Sequence, residues 1–191
     1  TLFQTCAFRS WADVRLPDLA ALTLRLLVAG LVMAYAGAVR AAVWQVQPGA
    51  SIQAAIEQAA SGDTITIAPG YYRENLRVTK TLTLSGIGRP TLSGGMRGDT
   101  VRISAPSVVI ENMIVRDSGD SLREQNAGIY FEPGAHGSIV RGCDLTYNLF
   151  GLWIEKVNDV RIEHNRITGK RDYRSSQRGN GIQLYNTLRA H

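Results

Sequence analysis

Three short segments of this chain repeat one pattern, a glycine followed by an apolar, a variable and an apolar residue: Gly128-Ile129-Tyr130-Phe131, Gly151-Leu152-Trp153-Ile154 and Gly181-Ile182-Gln183-Leu184. Their glycines stand 23 and then 30 residues apart. A second series keeps the same rhythm, with Ile139 to Leu145 aligning on Arg161 to Ile167 at an offset of 22. Two independent phases of one period of about 22 residues put strands in a fixed order around a coil. A β-sandwich, the competing all-β architecture, joins its strands by hairpins that need no such phase.

The local pattern agrees. From Asp63 onward apolar residues alternate with polar ones, as at Ile65 and Ile67, Leu76 and Val78, Leu82 and Leu84, Val101 and Ile103, and Val160 and Ile162. Each run is short and ends at Gly, Asn, Asp or Pro, the residues that supply turn conformations. No segment between runs is long enough for a crossover helix, which excludes a doubly wound α/β sheet. The expected fold is an all-β, right-handed parallel β-helix. Each strand pairs with its equivalent one coil away, at about 4.8 Å, and inward Ile, Leu and Val stack in columns.

Only Ser51 to Ala60 has a helical period, with Ile52, Ala55, Ile56 and Ala59 on one stripe. Ser51 suits the N-cap and Gly62 a left-handed position beyond the end. This segment is expected to be an N-terminal capping helix that covers the apolar end of the first coil. At the other end the last coil reaches Leu184 and Tyr185 with no capping helix after it. The β-helix is therefore expected to be C-terminally incomplete.

Residues 1–41 read as an N-terminal extension and secretory signal peptide. Fourteen uncharged residues, Leu26 to Val39, lie between Arg25 and Arg40. A membrane-spanning helix needs about 20 apolar residues, whereas this run has the size of a signal-peptide apolar region. Arg15 and Arg25 precede it and small residues around Ala36, Ala38 and Ala41 follow it. The alternative is a buried core helix. Cleavage after Ala41 leaves residues 42–191 as the β-helix domain, exported and not membrane-spanning. It also removes Cys6, so that Cys143 stands alone.

Composition removes several function classes. Two cysteines are too few for a disulfide framework or a four-ligand structural zinc site. A net charge of +5 over 191 residues is too modest to point to nucleic acid.

Functional candidates lie where the period is interrupted. One interruption is Asp117 to Asn126, the other Gly169 to Asn180. In the second, Lys170, Arg171, Arg174 and Arg178 stand against Asp172, a set suited to an acidic partner surface or an acidic sugar. The alternative is a solvated bulge. Glycoside cleavage needs two carboxyl groups about 5 to 10 Å apart. Glu132 and Glu155 follow two of the glycine motifs and are expected to be neighbours on an outward face, whereas Glu111 and Glu163 sit two coils apart or more. Unsupported by a surrounding motif, such acids are more often surface charges. Soft and imidazole metal ligands are Met96, Met113, His136, Cys143 and His164. The offset of 22 lays His164 over Gly142 and Asn165 over Cys143. A Cys143 thiolate beside a His164 imidazole suits copper; the alternative is a buried filler cysteine.

The stretches VQPGASIQAAIEQAASGDTITIAPGYYRENL, TKTLTLSGIGRPTLSG and RGNGIQLYNT resemble the NosD family of nitrous-oxide reductase maturation proteins. The resemblance covers about residues 46 to 188. Its opening part is also similar to the front of pectin methylesterases and other carbohydrate-active β-helices, whereas Arg178 to Leu184 is more specific to NosD. The resemblance implies a non-enzymatic periplasmic β-helix of the carbohydrate-binding and sugar-hydrolase type. It implies work beside an ABC transporter, with its ATPase and membrane subunits, a copper chaperone and nitrous-oxide reductase itself, in building a copper centre. It supplies no metal ligands by position. The rival readings on the same architecture are a polysaccharide lyase, esterase or epimerase, and a solenoid that binds a cell-envelope polysaccharide. No active-site motif of those enzymes is present in the chain.

Overall fold

The computed structural model describes residues 41–191. The extension and signal peptide expected over residues 1–41 lie outside the described residues, apart from Ala41. Among the described residues no helix is long and apolar enough to cross a membrane.

The chain winds through three parallel sheets in strict rotation. It enters with β1 (Val43–Val46) and α1 (Ile52–Gln58), and the first coil is β2 (Thr64–Ile67), β3 (Tyr71–Arg73) and β4 (Leu76–Val78). The second coil is β5 (Thr83–Gly86), β6 (Thr91–Ser93) and β7 (Val101–Ile103), and the third β8 (Val109–Glu111), β9 (Ile114–Arg116) and β10 (Ala127–Phe131). The fourth is β11 (Ile139–Arg141), β12 (Asp144–Asn148) and β13 (Phe150–Glu155), and the fifth β14 (Arg161–Glu163), β15 (Arg166–Gly169) and β16 (Ile182–Tyr185). The first sheet is ordered β1-β2-β5-β8-β11-β14, the second β3-β6-β9-β12-β15 and the third β4-β7-β10-β13-β16. Every ladder between these strands is parallel. The parallel β-helix expected from the period is the fold.

Register explains why three short strands per coil suffice. In the third sheet Leu76, Val101, Ile129, Leu152 and Ile182 stand in one column, and Val78, Ile103, Phe131, Ile154 and Leu184 in another. Leu84, Ile110 and Val140 continue a column of the first sheet, and Leu92, Val115 and Leu145 one of the second. Except for Ile182 and Leu184, these interior residues are buried and belong to one contiguous core. A single coil has no apolar partner of its own; stacking supplies it, at about 25 cal/mol per Å² of apolar surface removed from water. In the last coil Ile182 and Leu184 are 43% and 49% exposed.

The capping helix is present but shorter than its periodicity, because Ala59 is already extended (ψ 147°). Ser51 is its N-cap, accepting from Ala54 N. Glu74, at the corner of the first coil, also accepts from Ile52 N and Gln53 N, while Lys80 Nζ donates to the carbonyls of Ile56, Glu57 and Ala59. These bonds satisfy groups that a helix end leaves unpaired. They seat Ile52 and Ile56 on the core.

Corners between the first and second sheets use left-handed backbone. Asn112 (φ 58°), Gly142 (φ 62°) and His164 (φ 54°) occupy successive coils there. Asparagine and glycine tolerate this conformation; histidine tolerates it less well.

Candidate functional site

The irregular connections collect at the corner between the second and third sheets, where connection lengths differ most. The first coil turns through Glu74 and Asn75 alone and the fourth through Leu149 alone. The second, third and fifth coils carry loops of residues 94–100, 117–126 and 170–181. The interruptions expected from the sequence are the latter two loops. Loop 94–100 escaped the sequence reading, although Gly94, Gly95 and Gly98 were its visible signal.

Beneath the loops, Arg77, Arg102, Tyr130, Trp153 and Gln183 stand in register on the outer face of the third sheet. Alternation alone predicts them to be solvated. Instead Tyr130 is 6% exposed and joins Ala127, Leu149, Phe150 and Trp153 in a small apolar cluster outside the solenoid wall. The Arg102 guanidinium lies 4.1 Å from the Tyr130 ring centre. Tyr130 stacks on Trp153 with ring centres 6.2 Å apart, and Phe150 meets Trp153 edge-on at 5.0 Å. Loop 117–126 reaches the Tyr130 hydroxyl through Gln125, and loop 170–181 brings Gly179 against the Phe150 ring.

Carboxylates ring this cluster. Arg102 donates to Asp99 and, at 2.7 Å, to Glu132. Burial raises the Asp99 carboxyl above its ordinary value, outweighing the bonds from Ala127 N and Arg102. The Tyr130 hydroxyl donates to Glu155 at 2.6 Å. Burial first, then Glu155, pushes that phenol well up, and the same hydrogen bond holds Glu155 below its usual range. Glu132 and Glu155 are thus neighbours by register, as expected, but each is committed to a different partner. Glu111 and Glu163 lie two coils apart with Arg141 between them, and Arg141 Nε donates to Glu111 at 2.7 Å.

The four basic residues of the second interruption have three different placements. Lys170 is 1% exposed, not on the loop surface. Its ammonium donates to Asp120 and, at 2.8 Å, to the Ser118 carbonyl, with the rings of Tyr147 and Tyr173 at 5.4 and 5.3 Å. Arg178 donates to the carbonyls of Tyr173 and Arg171, closing the loop on itself. Arg171 and Arg174 are exposed and make no ion pair among the described residues. The outward cations without an ion pair are therefore Arg171, Arg174 and Arg178, the last tied down by the loop's own carbonyls.

Among the metal candidates, Cys143 is buried, its thiol turned to the carbonyls of Arg141 and Ile110, and His164 is exposed. The register does put Asn165 over Cys143: its side chain accepts from Cys143 N at 2.9 Å and donates to Val140 O. Burial pushes the Cys143 thiol up to about 11, away from the thiolate that ligates metal. Among the described residues no three His, Cys, Asp or Glu side chains gather as a metal site.

Residues 83–190 match the model of the family described as "Right handed beta helix region". The chain belongs to this family. The chain is also similar to two relatives named "Probable ABC transporter binding protein NosD". That of Pseudomonas aeruginosa is 33% identical over 120 residues, covering 63% of this chain and 28% of the relative. That of Stutzerimonas stutzeri is 29% identical over 89 residues, covering 47% of this chain and 20% of the relative. The NosD-like character read from the sequence is borne out by both, and the chain spans under a third of either relative's length. Solved structures of pectin methylesterase with bound hexasaccharides cover 82% of this chain, at TM-scores of 0.45 and 0.48 and identities of 15% and 17%.

Proposed function

We propose that this β-helix belongs to a non-enzymatic accessory protein of the periplasm. It works with the ATPase and membrane subunits of an ABC transporter, and with a copper chaperone, in maturing the copper centre of nitrous-oxide reductase. The observation that carries this reading is the match over 120 residues to a relative named as an ABC transporter binding protein. Copper is cargo in this reading. The docking element is the loop of residues 170–181, presenting Arg171 and Arg174 to an acidic surface on a partner. Its backbone is held by Arg178 and by buried Lys170, which suits a preorganised docking surface.

The state of Glu132 and Glu155 supports a non-catalytic role for these two acids. A general acid for sugar cleavage needs a raised pKa and a free proton to give. Glu155 is held low by Tyr130, and Glu132 is paired with Arg102.

The test is a deletion strain complemented with the full-length protein. An Arg171→Glu, Arg174→Glu pair is expected to reduce copper loading of nitrous-oxide reductase several-fold while the protein stays folded and exported. Undiminished loading in the deletion strain itself overturns the maturation role. Undiminished loading by the charge-reversed protein overturns the assignment of the loop.

A further inference from the structure

Where the first coil turns through two residues, the longer corner loops of the next two coils overhang the third sheet. The overhang borders an open cleft of about 370 Å³, lined among others by Asn75, Arg77, Arg97, Asp99, Arg102 and the carboxylate Glu124. That volume falls in the range of small-molecule sites.

Its three guanidinium groups are not equivalent. Arg102 is neutralised, between Asp99 on one side and Glu132 on the other. Arg77 lies in direct register with Arg102 one coil away, and like charges facing each other on neighbouring strands are unfavourable. Neither Arg77 nor Arg97 makes an ion pair among the described residues. Asp99 is committed elsewhere, since its oxygens accept from Ala127 N and from Arg102.

The backbones that carry these two arginines are fixed. Asn75 Nδ2 donates to the carbonyls of Arg97 and Asp99, at 2.8 and 2.7 Å. Gln53, on the capping helix, accepts from Arg77 N at 2.9 Å. Two guanidinium forks without ion pairs, on an anchored frame and beside a third that is already neutral, outnumber the one lining carboxylate that has no ion pair, Glu124, and suit an oxyanion. A guanidinium matches the two oxygens of a carboxylate or phosphate with paired hydrogen bonds.

We propose that this cleft binds an oxyanion, a carboxylate or a phosphate, carried by a ligand no larger than about one sugar residue, with Arg77 and Arg97 as its binding forks. The site is distinct from the loop of Arg171 and Arg174 and stands whether or not that loop docks a partner.

Isothermal titration of the full chain with glucuronate, glucose and inorganic phosphate tests it. Glucuronate, phosphate or both are expected to bind with an affinity that falls as salt rises, and glucose is not. Which anion binds identifies the source of the charge. Arg77→Gln with Arg97→Gln is expected to weaken binding at least tenfold at an unchanged melting temperature. Arg77→Lys with Arg97→Lys keeps the charge, removes the fork and is expected to lose several-fold, so the proposal stays testable if the Gln pair misfolds. An Arg171→Gln, Arg174→Gln control is expected to bind as the unaltered chain does. Absence of binding by both anions, equal binding of glucose, or undiminished binding by the Gln pair would overturn the proposal.

Discussion

The ammonium of Lys170 rests on the carboxylate of Asp120, fifty residues earlier in the chain, with no exposure of the lysine side chain to solvent. Tyr173 donates to the same carboxylate at 2.8 Å, so one acid of the third coil fastens two residues of the fifth. Between them lies the fourth coil, whose corner at Leu149 is too short to project. The two long loops thereby form a single cover that meets Phe150, whose N donates to Asn126 O and whose ring lies against Gly179.

Lys170→Met tests that fastening. Breaking a buried pair costs about 3 to 5 kcal/mol, and the lower end is expected because the Asp120 side chain is 41% exposed and regains water. Trypsin should then cut after Arg171 and Arg174 well before global unfolding. Limited proteolysis beside a thermal melt reads both effects.

The cover should open at both extremes of pH. Burial opposes the charge of Asp120, but the bonds from Lys170 and Tyr173 outweigh it and leave the carboxyl below its ordinary 3.8. A lowered acid stabilises the fold above its unfolded value and loses that contribution as pH falls through the folded one. Tyr173 is the opposite case, raised to about 12 chiefly by its hydrogen bond to Asp120, so its contribution disappears as pH rises through that value. Loop proteolysis should be flat from about pH 5 to pH 9 and rise beyond both ends. Asp120→Asn should remove the acid limb.

Cys143 should be inert in the folded chain. With its thiol near 11, a negligible fraction is thiolate at neutral pH, and burial blocks reagents as well. Iodoacetamide is expected to label it at pH 8 only after denaturant is added. Rapid labelling of Cys143 itself in the native protein, read by peptide mapping, would contradict the buried placement.

Two alanine substitutions separate backbone strain from crowding. At Gly98 (φ +50°) a Cβ meets nothing within 4 Å, whereas at Gly142 (φ +62°) it meets Asn112 Oδ1 at 2.7 Å. Gly98→Ala should cost about 1 kcal/mol, the penalty of left-handed backbone. Gly142→Ala should cost about 1 to 2 kcal/mol, because the end of the Asn112 side chain must also turn aside. Urea unfolding of the pair measures the difference.

The column of Ile129, Leu152 and Ile182 was legible in the chain, as was the seat of Ile52 and Ile56 over the first coil. Parallel stacking demands equal phase and one inward side chain in two, and both demands are written as spacing. The pairing of Glu132 with Glu155 by register followed from the same arithmetic. Tyr130 did not follow: alternation assigns it to solvent, and its neighbours Arg102 and Trp153 on adjacent coils, with Gln125 of the loop above, bury it. Lys170 looked like one of four equivalent cations in a polar loop. Its partner is Asp120, and nothing local to either residue announces the other.

Periodicity, glycine placement and turn chemistry thus specify the solenoid, since each coil is a local unit repeated on its neighbour. The distribution of charge over the corner loops is another matter. Which arginines are neutralised, which cation is buried and where a cleft remains depend on contacts between loops of different coils. Those contacts have no period, so they are decided only when the coils are stacked.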